Sequence, residues 1–385
     1  MKVPRAFLLT VLLVLEAGCS QLYTVQPVPP GSGSAPFGDA VSLAFDASGN
    51  LFIGGVTGTT ASQMPCYWGN GSLVTTMPVG TGNYAFSIGL GAVDVSGNFF
   101  VAGSVGPVEA ALLPCSWENG ALSYLSVGLV NAAGMAIGVA TDSKKNLYLA
   151  GGVGPSSSSL NPSLWTNGVQ ANLATGTGNS WGVGSAVVLD ASGNVYVGGE
   201  VGVSSAAPLP SYWENGSLSI LPMGTGNSWG EVTNAAVDSH GNLYFAGIVG
   251  ASGSVPMPCY WENGSLTILS VGAGNTLGWA SGVAVDGSGN LTIAGASGTS
   301  LGTLVPCFWR NGSLSFLPTG PASQYGFTNA AAVDASGNVF IVGDVATSTS
   351  QAPSYWRNGA LTLLPQASPG LALDGRRVEG NRRLH

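Results

Sequence analysis

One residue recurs at a fixed interval along most of this chain. Asp46, Asp94, Asp142, Asp190, Asp238, Asp286 and Asp334 are each 48 residues apart. Each opens a variant of Asp-x-Ser-Gly-Asn followed by an apolar run, as in Asp190-Ala-Ser-Gly-Asn-Val-Tyr-Val-Gly-Gly. A second motif keeps step with the first. Trp68, Trp117, Trp165, Trp213, Trp261, Trp309 and Trp356 each stand two residues before an Asn-Gly pair. Copies at one spacing make the chain a repeat array, in which a unit cannot bury its apolar surface without its neighbours.

One unit shows what is repeated. Residues 184–189 read as a small-apolar strand, 190–193 as a tight turn and 194–201 as a second strand. A third strand is expected around 211–214 and a fourth over 217–221. Asn215-Gly216 joins them as a hairpin turn, because both residues accept positive φ. Such a sheet has two apolar faces and no core until it stacks on another. Four strands in about 40–50 residues is the propeller period. The expected fold is therefore all-β: a seven-bladed β-propeller of four-stranded antiparallel blades over residues 41–365.

Composition agrees. The 385 residues include 60 Gly and 22 Pro, and only 7% are charged. Gly costs roughly 1 kcal/mol per helix position relative to Ala, so a mostly helical chain is excluded. A hydrophobic share of 45% excludes a disordered one. The net charge is −8, which removes the electrostatic basis for nucleic-acid binding. Seven turn Asp residues, with Glu118, Glu214 and Glu262 beside Trp, make much of that charge repeat hardware.

The ends differ from the body. Residues 1–19 read as a signal peptide: Lys2 and Arg5, an apolar run from Ala6 to Leu15, then Ala17-Gly18-Cys19. That run is too short for a permanent span. The ending resembles a bacterial lipoprotein cleavage box, with Glu16 where an aliphatic residue is usual. The resemblance implies lipidation of Cys19 and anchoring in the cell envelope, periplasmic or cell-surface, with plain secretion as the alternative. Residues 20–40 read as a tether, and 366–385 as a basic, disordered tail carrying Arg376, Arg377, Arg382 and Arg383. Nothing in the sequence calls for a partner subunit, and a monomer is expected.

The Asp-x-x-Gly-Asn-[Val/Leu]-[Tyr/Phe] pattern resembles the bacterial propeller repeats called SBBP and, more distantly, NHL repeats. Tyr-Trp-Glu-Asn-Gly-Ser-Leu at 212–218 resembles the HAF-type repeats of bacterial extracellular proteins. The resemblance covers residues 41–365 and implies an exported propeller without implying one activity.

Candidate sites are few. A calcium loop needs several oxygen ligands, whereas each turn here has one Asp, best read as an acceptor for turn amides. No metal or cofactor is expected. The repeat Trp residues fill gaps between blades. Cys66, Cys115, Cys259 and Cys307 occupy one repeat position on different blades and read as buried thiols beyond the reach of a disulfide. His240 and His385 belong to no triad. The Asn-Gly-Ser triplets at Asn70, Asn215, Asn263 and Asn311 match a glycosylation acceptor, but the turn reading suffices. Glu200 and Asp344 share a repeat position otherwise held by small or aliphatic residues, three units apart. One region rises above hardware. Asn83, Asn131, Asn179, Asn227 and Asn275 stand eleven residues before a repeat Asp, followed in several units by Tyr84, Phe86, Trp181, Trp229 and Trp279, with Tyr325 and Phe327 in a sixth. Aromatic rings beside amides suit a glycan or peptide. The leading expectation is non-catalytic recognition of a protein or glycan at this variable-loop face. The alternatives are a propeller glycan lyase or hydrolase using channel-mouth carboxylates, and a purely structural surface protein.

Overall fold

The computed structural model describes residues 36–366 except 60–61, 108–110, 129–132, 157–158, 322, 324 and 348–349. Cys19, the expected tether as far as residue 35 and the basic tail lie outside the described residues. So does Asn131. The described chain forms seven four-stranded sheets, each built from four consecutive antiparallel strands. The all-β seven-bladed propeller expected from the repeat is the fold observed. In blade 4 the strands are Trp181–Leu189, Val195–Gly202, Leu209–Glu214 and Ser217–Ile220.

The first strands of successive blades touch one another around the ring, and the first strand of blade 1 (Pro36–Phe45) touches that of blade 7 (Tyr325–Val333). First strands are therefore innermost. Fourth strands face solvent, as the exposure of Ile220, Ile268 and Phe316 shows.

The repeat motifs hold both faces of this design. Asp190 Oδ1 accepts hydrogen bonds from the Ser192 and Asn194 amides at 2.9 and 2.8 Å, and Oδ2 accepts one from Asn194 Nδ2 at 2.7 Å. Asn215, at φ 48°, accepts from the Val195 amide and donates to Asn194 Oδ1. The two tight turns of a blade are thus tied to each other on one face of the ring. Each repeat Trp is fully buried, and its indole N–H reaches the preceding blade: Trp213 Nε1 donates to the Ala174 carbonyl at 2.7 Å. Trp68 does the same to Pro365, at 2.8 Å, and so joins the last blade to the first. Ring closure needs no strand from outside a blade's own sequence.

One glycine per blade is dictated by space. Each first strand carries a β-bulge before its repeat Asp, between Gly184 and Ala186 in blade 4. The bulged strand lays the carbonyl of the residue seven before the Asp against the glycine nine after it. A Cβ on Gly199 would lie 2.1 Å from the Val183 oxygen, and one on Gly343 would lie 2.0 Å from the Phe327 oxygen. Gly55, Gly103, Gly151, Gly247 and Gly295 meet the same obstruction.

Blade 2 departs from the pattern. Its first strand, Tyr84–Val93, is irregular in two places, and Leu90 leaves the ladder. Leu90 packs against core clusters of blades 7 and 1, of blades 2 and 3, and of blades 4 and 5. One side chain thereby fills the ring from within, near the level of the tight-turn half of the first strands.

These two kinds of glycine separate in stability. Gly199→Ala drives a Cβ into backbone and is expected to cost about 3 kcal/mol by overpacking. Gly216→Ala, at φ 86° with open space around it, is expected to cost about 1 kcal/mol. Thermal denaturation checks the order, and equal losses would contradict the close-approach argument.

Candidate active site

Most acidic side chains of the described chain are accounted for by the repeat: seven turn Asp residues and three Glu residues beside Trp. Four remain, Asp39, Glu200, Glu231 and Asp344. All four are buried, with exposures of 3% or less. They occupy two repeat positions. Asp39 and Glu231 stand seven residues before a repeat Asp, on first strands; Glu200 and Asp344 stand ten after one, on second strands.

The ring puts them in pairs. Asp344 of blade 7 meets Asp39 of blade 1, and Asp39's charge helps hold the Asp344 carboxyl neutral. Glu200 of blade 4 and Glu231 of blade 5 hold the same two positions at another blade junction. The partner of each second-strand acid is thus on the next blade, not three blades away. First strands run from the variable-loop face toward the tight turns, and second strands return. Asp39 and Asp344 are therefore nearer the variable face.

Burial dominates their chemistry. It pushes Asp39 up to about 7, although hydrogen bonds from Asn329 and the Ala40 backbone pull the other way. Asn329 Nδ2 donates to Asp39 Oδ1 and to the Ala40 carbonyl, both at 2.8 Å. Asp344 is raised well above the carboxylate range by burial and by Asp39, against a hydrogen bond from the Phe327 backbone. Burial alone pushes Glu231 up to about 7. Among the described residues the ion pairs of Arg310 with Asp286 and His240 with Asp238 stand at repeat turns, away from Asp39, Glu231 and Asp344. Two like-charged carboxyls in one dry site favour a shared proton, one group acting as acid and the other as base.

Aromatic side chains complete an arc. The residues seven before each repeat Asp run, blade by blade from 1 to 7, Asp39, Ser87, Met135, Val183, Glu231, Trp279 and Phe327. Going round the ring from blade 5 to blade 1, the order is acid, indole, phenyl, acid. Trp279 is 3% exposed and packs with Ile248, Leu277, Ala296 and Leu304, with half-buried Phe327 and Trp229 against the same cluster. Several polar atoms on the inner two strands of different blades are buried without a hydrogen-bond partner among the described residues: Trp279 Nε1, Trp181 Nε1, Glu231 Oε2, Asn329 Oδ1 and Asp344 Oδ2.

The residues singled out in sequence divide. Trp181, Trp229, Trp279, Tyr325 and Phe327 lie on first strands rather than in loops, because these strands begin earlier than the alternation suggested. Trp181 is 3% exposed and packs with Leu112, Met135, Leu160 and Val183. Trp229 Nε1 donates to the Ala251 carbonyl, and Tyr325 Oη donates to the Thr347 carbonyl. Tyr84 is exposed, and Phe86 lies on the same first strand. The asparagines serve their own turns: Asn179 Nδ2 donates to Thr175, Asn227 to Met223 and Asn275 to Val271 carbonyls. Asn83 Nδ2 reaches Tyr124 Oη at 3.3 Å. The structure sets Phe327 opposite Asp344 on adjacent strands of blade 7 and uses Asn179, Asn227 and Asn275 within their own turns.

No protein-family model matches this chain, and no curated protein matches its sequence. Solved structures do match, in fold. A polysaccharide lyase of family PL25, an ulvan lyase, is 9% identical with a TM-score of 0.53, covering 86% of this chain and 95% of that one. A Niastella koreensis GH74 enzyme is 13% identical with a TM-score of 0.51, covering 85% of this chain and 53% of that one. A Mycobacterium tuberculosis puromycin-hydrolyzing peptidase is 10% identical with a TM-score of 0.52, covering 91% of this chain. The chain spans 54% of that peptidase, about half its length. The expectation of a non-catalytic recognition propeller is corrected here: these fold neighbours are enzymes, and the propeller buries acid pairs that recognition alone does not require.

Linkage gives a test of the carboxyls. A carboxyl raised on folding leaves the native state holding more protons than the unfolded chain, so stability falls as pH rises. For Asp39 and Glu231 the fall runs from about 4 to about 7. The turn Asp residues are lowered, so their contribution is lost as pH drops below the usual carboxylate range. The melting temperature is therefore expected to peak near pH 4–5 and decline toward pH 7.5. Asp344→Asn should flatten that decline; a melting temperature that climbs from pH 5 to 7 would contradict the burial argument.

Proposed function

We propose that this propeller is a glycan-cleaving enzyme working near its variable-loop face, with Asp39 and Asp344 as an acid–base pair. The observation that carries the reading is the placement of acids. Every described acid outside the repeat turns and Trp motifs falls at one of two positions that meet across blade junctions. A carboxyl that keeps its proton near neutrality can protonate a leaving oxygen, and an ionised partner can take a proton from the attacking group. Aromatic faces beside them suit the apolar faces of sugar rings. Fold neighbours that include a polysaccharide lyase support the reading as analogy.

Asp39 is assigned as the base because Asn329 Nδ2 donates to its Oδ1 and so favours its ionised form, which leaves Asp344 as the acid. Asn329 is a positioning residue, fixing Oδ1 of Asp39 while bridging blades 7 and 1.

The test is a screen of the mature chain on soluble polysaccharides, followed by variants on whichever substrate is cut. Asp39→Asn and Asp344→Asn should each lower kcat by about 100-fold or more, the usual share of a positioned acid or base, with melting temperatures at pH 7 equal to or above that of the parent. Activity undiminished in both variants would overturn the assignment.

A further inference from the structure

One side chain closes the centre of the ring beneath the acid pair. The residue four before each repeat Asp is, from blade 1 to blade 7, Ser42, Leu90, Gly138, Ala186, Asn234, Gly282 and Ala330. Six are small or short, and one is a large aliphatic. Inner strands come close together at this level. A Cβ on Gly138 would lie 2.8 Å from the Ala186 backbone, and one on Gly282 would lie 2.6 Å from the Ala331 nitrogen. Leu90 leaves its ladder and packs against clusters of blades 7 and 1, of blades 2 and 3, and of blades 4 and 5. Those clusters lie on different sides of the ring, so this one side chain spans it.

Depth relates Leu90 to the carboxyls. Asp39 stands three residues inside the exposed start of its strand at Pro36. At the rise of a strand that is about 10 Å below the variable-loop face. Leu90 stands three repeat positions deeper than Asp39, again about 10 Å along the strands. The cluster it touches contains Ala40 and Ala330, the chain neighbours of Asp39 and Asn329. Leu90 is itself only half-buried, so open space adjoins it. The acid pair therefore stands between the variable-loop face and an apolar floor.

Burial and floor together select how a glycan is held. A chain lying across the variable-loop face keeps both its halves at the rim, and its bonds do not reach carboxyls that are 3% and 2% exposed. A chain threading the ring needs an open centre, and Leu90 occupies it. A chain entering by its end meets neither obstacle. Resting on the glycan-cleaving reading above, we infer that the protein cuts glycans from the chain end, and that Leu90 sets how much of the chain lies beyond the cut. The terminal sugar rests an apolar face on Leu90 while a glycosidic bond near the end comes level with Asp39 and Asp344. A shorter side chain at this position lowers the floor and admits a longer end. The carboxyls are covered in the structure, so rim side chains such as half-buried Phe37 must move to admit the chain.

The experiment follows the protein on xylan, mannan, β-glucan, pectate and ulvan, reading viscosity and product length together. On a polymer that is cut, only the shortest sugars should appear from the first minutes, while viscosity stays near its starting value. Leu90→Ala should lose that length limit and release longer products. Leu90→Met, which nearly conserves volume, should keep the parent pattern. Melting temperatures at the assay pH show whether each variant is folded. A rapid fall in viscosity with a ladder of long products from the parent would overturn end-on cleavage and leave glycan cleavage standing. That record decides the end-on claim even where Leu90→Ala does not fold. Unchanged products from a folded Leu90→Ala would overturn the role of Leu90. Cleavage of none of these polymers would overturn both this inference and the reading it rests on.

Discussion

A four-stranded blade has two apolar faces and no interior, and what gives it an interior is the tryptophan that leans into its neighbour. Each repeat Trp is fully buried, and its indole N–H is satisfied by a carbonyl of the preceding blade. The contact joins a large apolar surface to one directional bond, so it fixes both distance and angle between sheets. Trp68 to Pro365 closes the series. Because that closing contact is the same as the other six, the ring needs no special latch. The inner strands then arrive at a common radius, and the residue seven before each repeat Asp arrives at a common depth.

Much of this was legible in the sequence. The 48-residue interval, the Asn-Gly turns and the Trp two residues ahead of them specify blade, strand order and packing, because each motif has a local physical cause. The recurrent glycine within the second strand is visible as a pattern, but its reason is not: the obstructing carbonyl belongs to a strand about 16 residues earlier, lifted by a bulge. The propeller also starts earlier than the sequence suggests. Pro36–Ala40 looks like tether, since Pro, Gly and an acid interrupt it, yet it forms the outer half of the first inner strand and carries Asp39.

The acid pairs were half legible, and the missing half is instructive. Glu200 and Asp344 stood out because their repeat position is otherwise small or aliphatic. Asp39 and Glu231 did not, because their position also holds Ser, Met, Val, Trp and Phe, and no residue type looks out of place there. A pairing between a second strand and the next blade's first strand has no constant signature in one sequence; it follows only from closing the ring. The aromatics look like loop side chains in sequence, whereas Trp181, Trp229, Trp279, Tyr325 and Phe327 are rungs of the inner strands. The overall negative charge was set aside as hardware, and for the turn Asp residues that holds. The four acids left over are few enough to vanish in the total, and they are the buried ones.

The proposed function stands or falls on whether a sugar chain binds at the Asp39 and Asp344 pair. A crystal structure of the Asp344→Asn variant soaked with an oligosaccharide of whichever polysaccharide the parent cuts measures this directly. The proposal predicts a glycosidic oxygen within about 3.2 Å, hydrogen-bond distance, of the residue 344 side chain. Sugar bound at the tight-turn face, or anywhere else away from this pair, would contradict it.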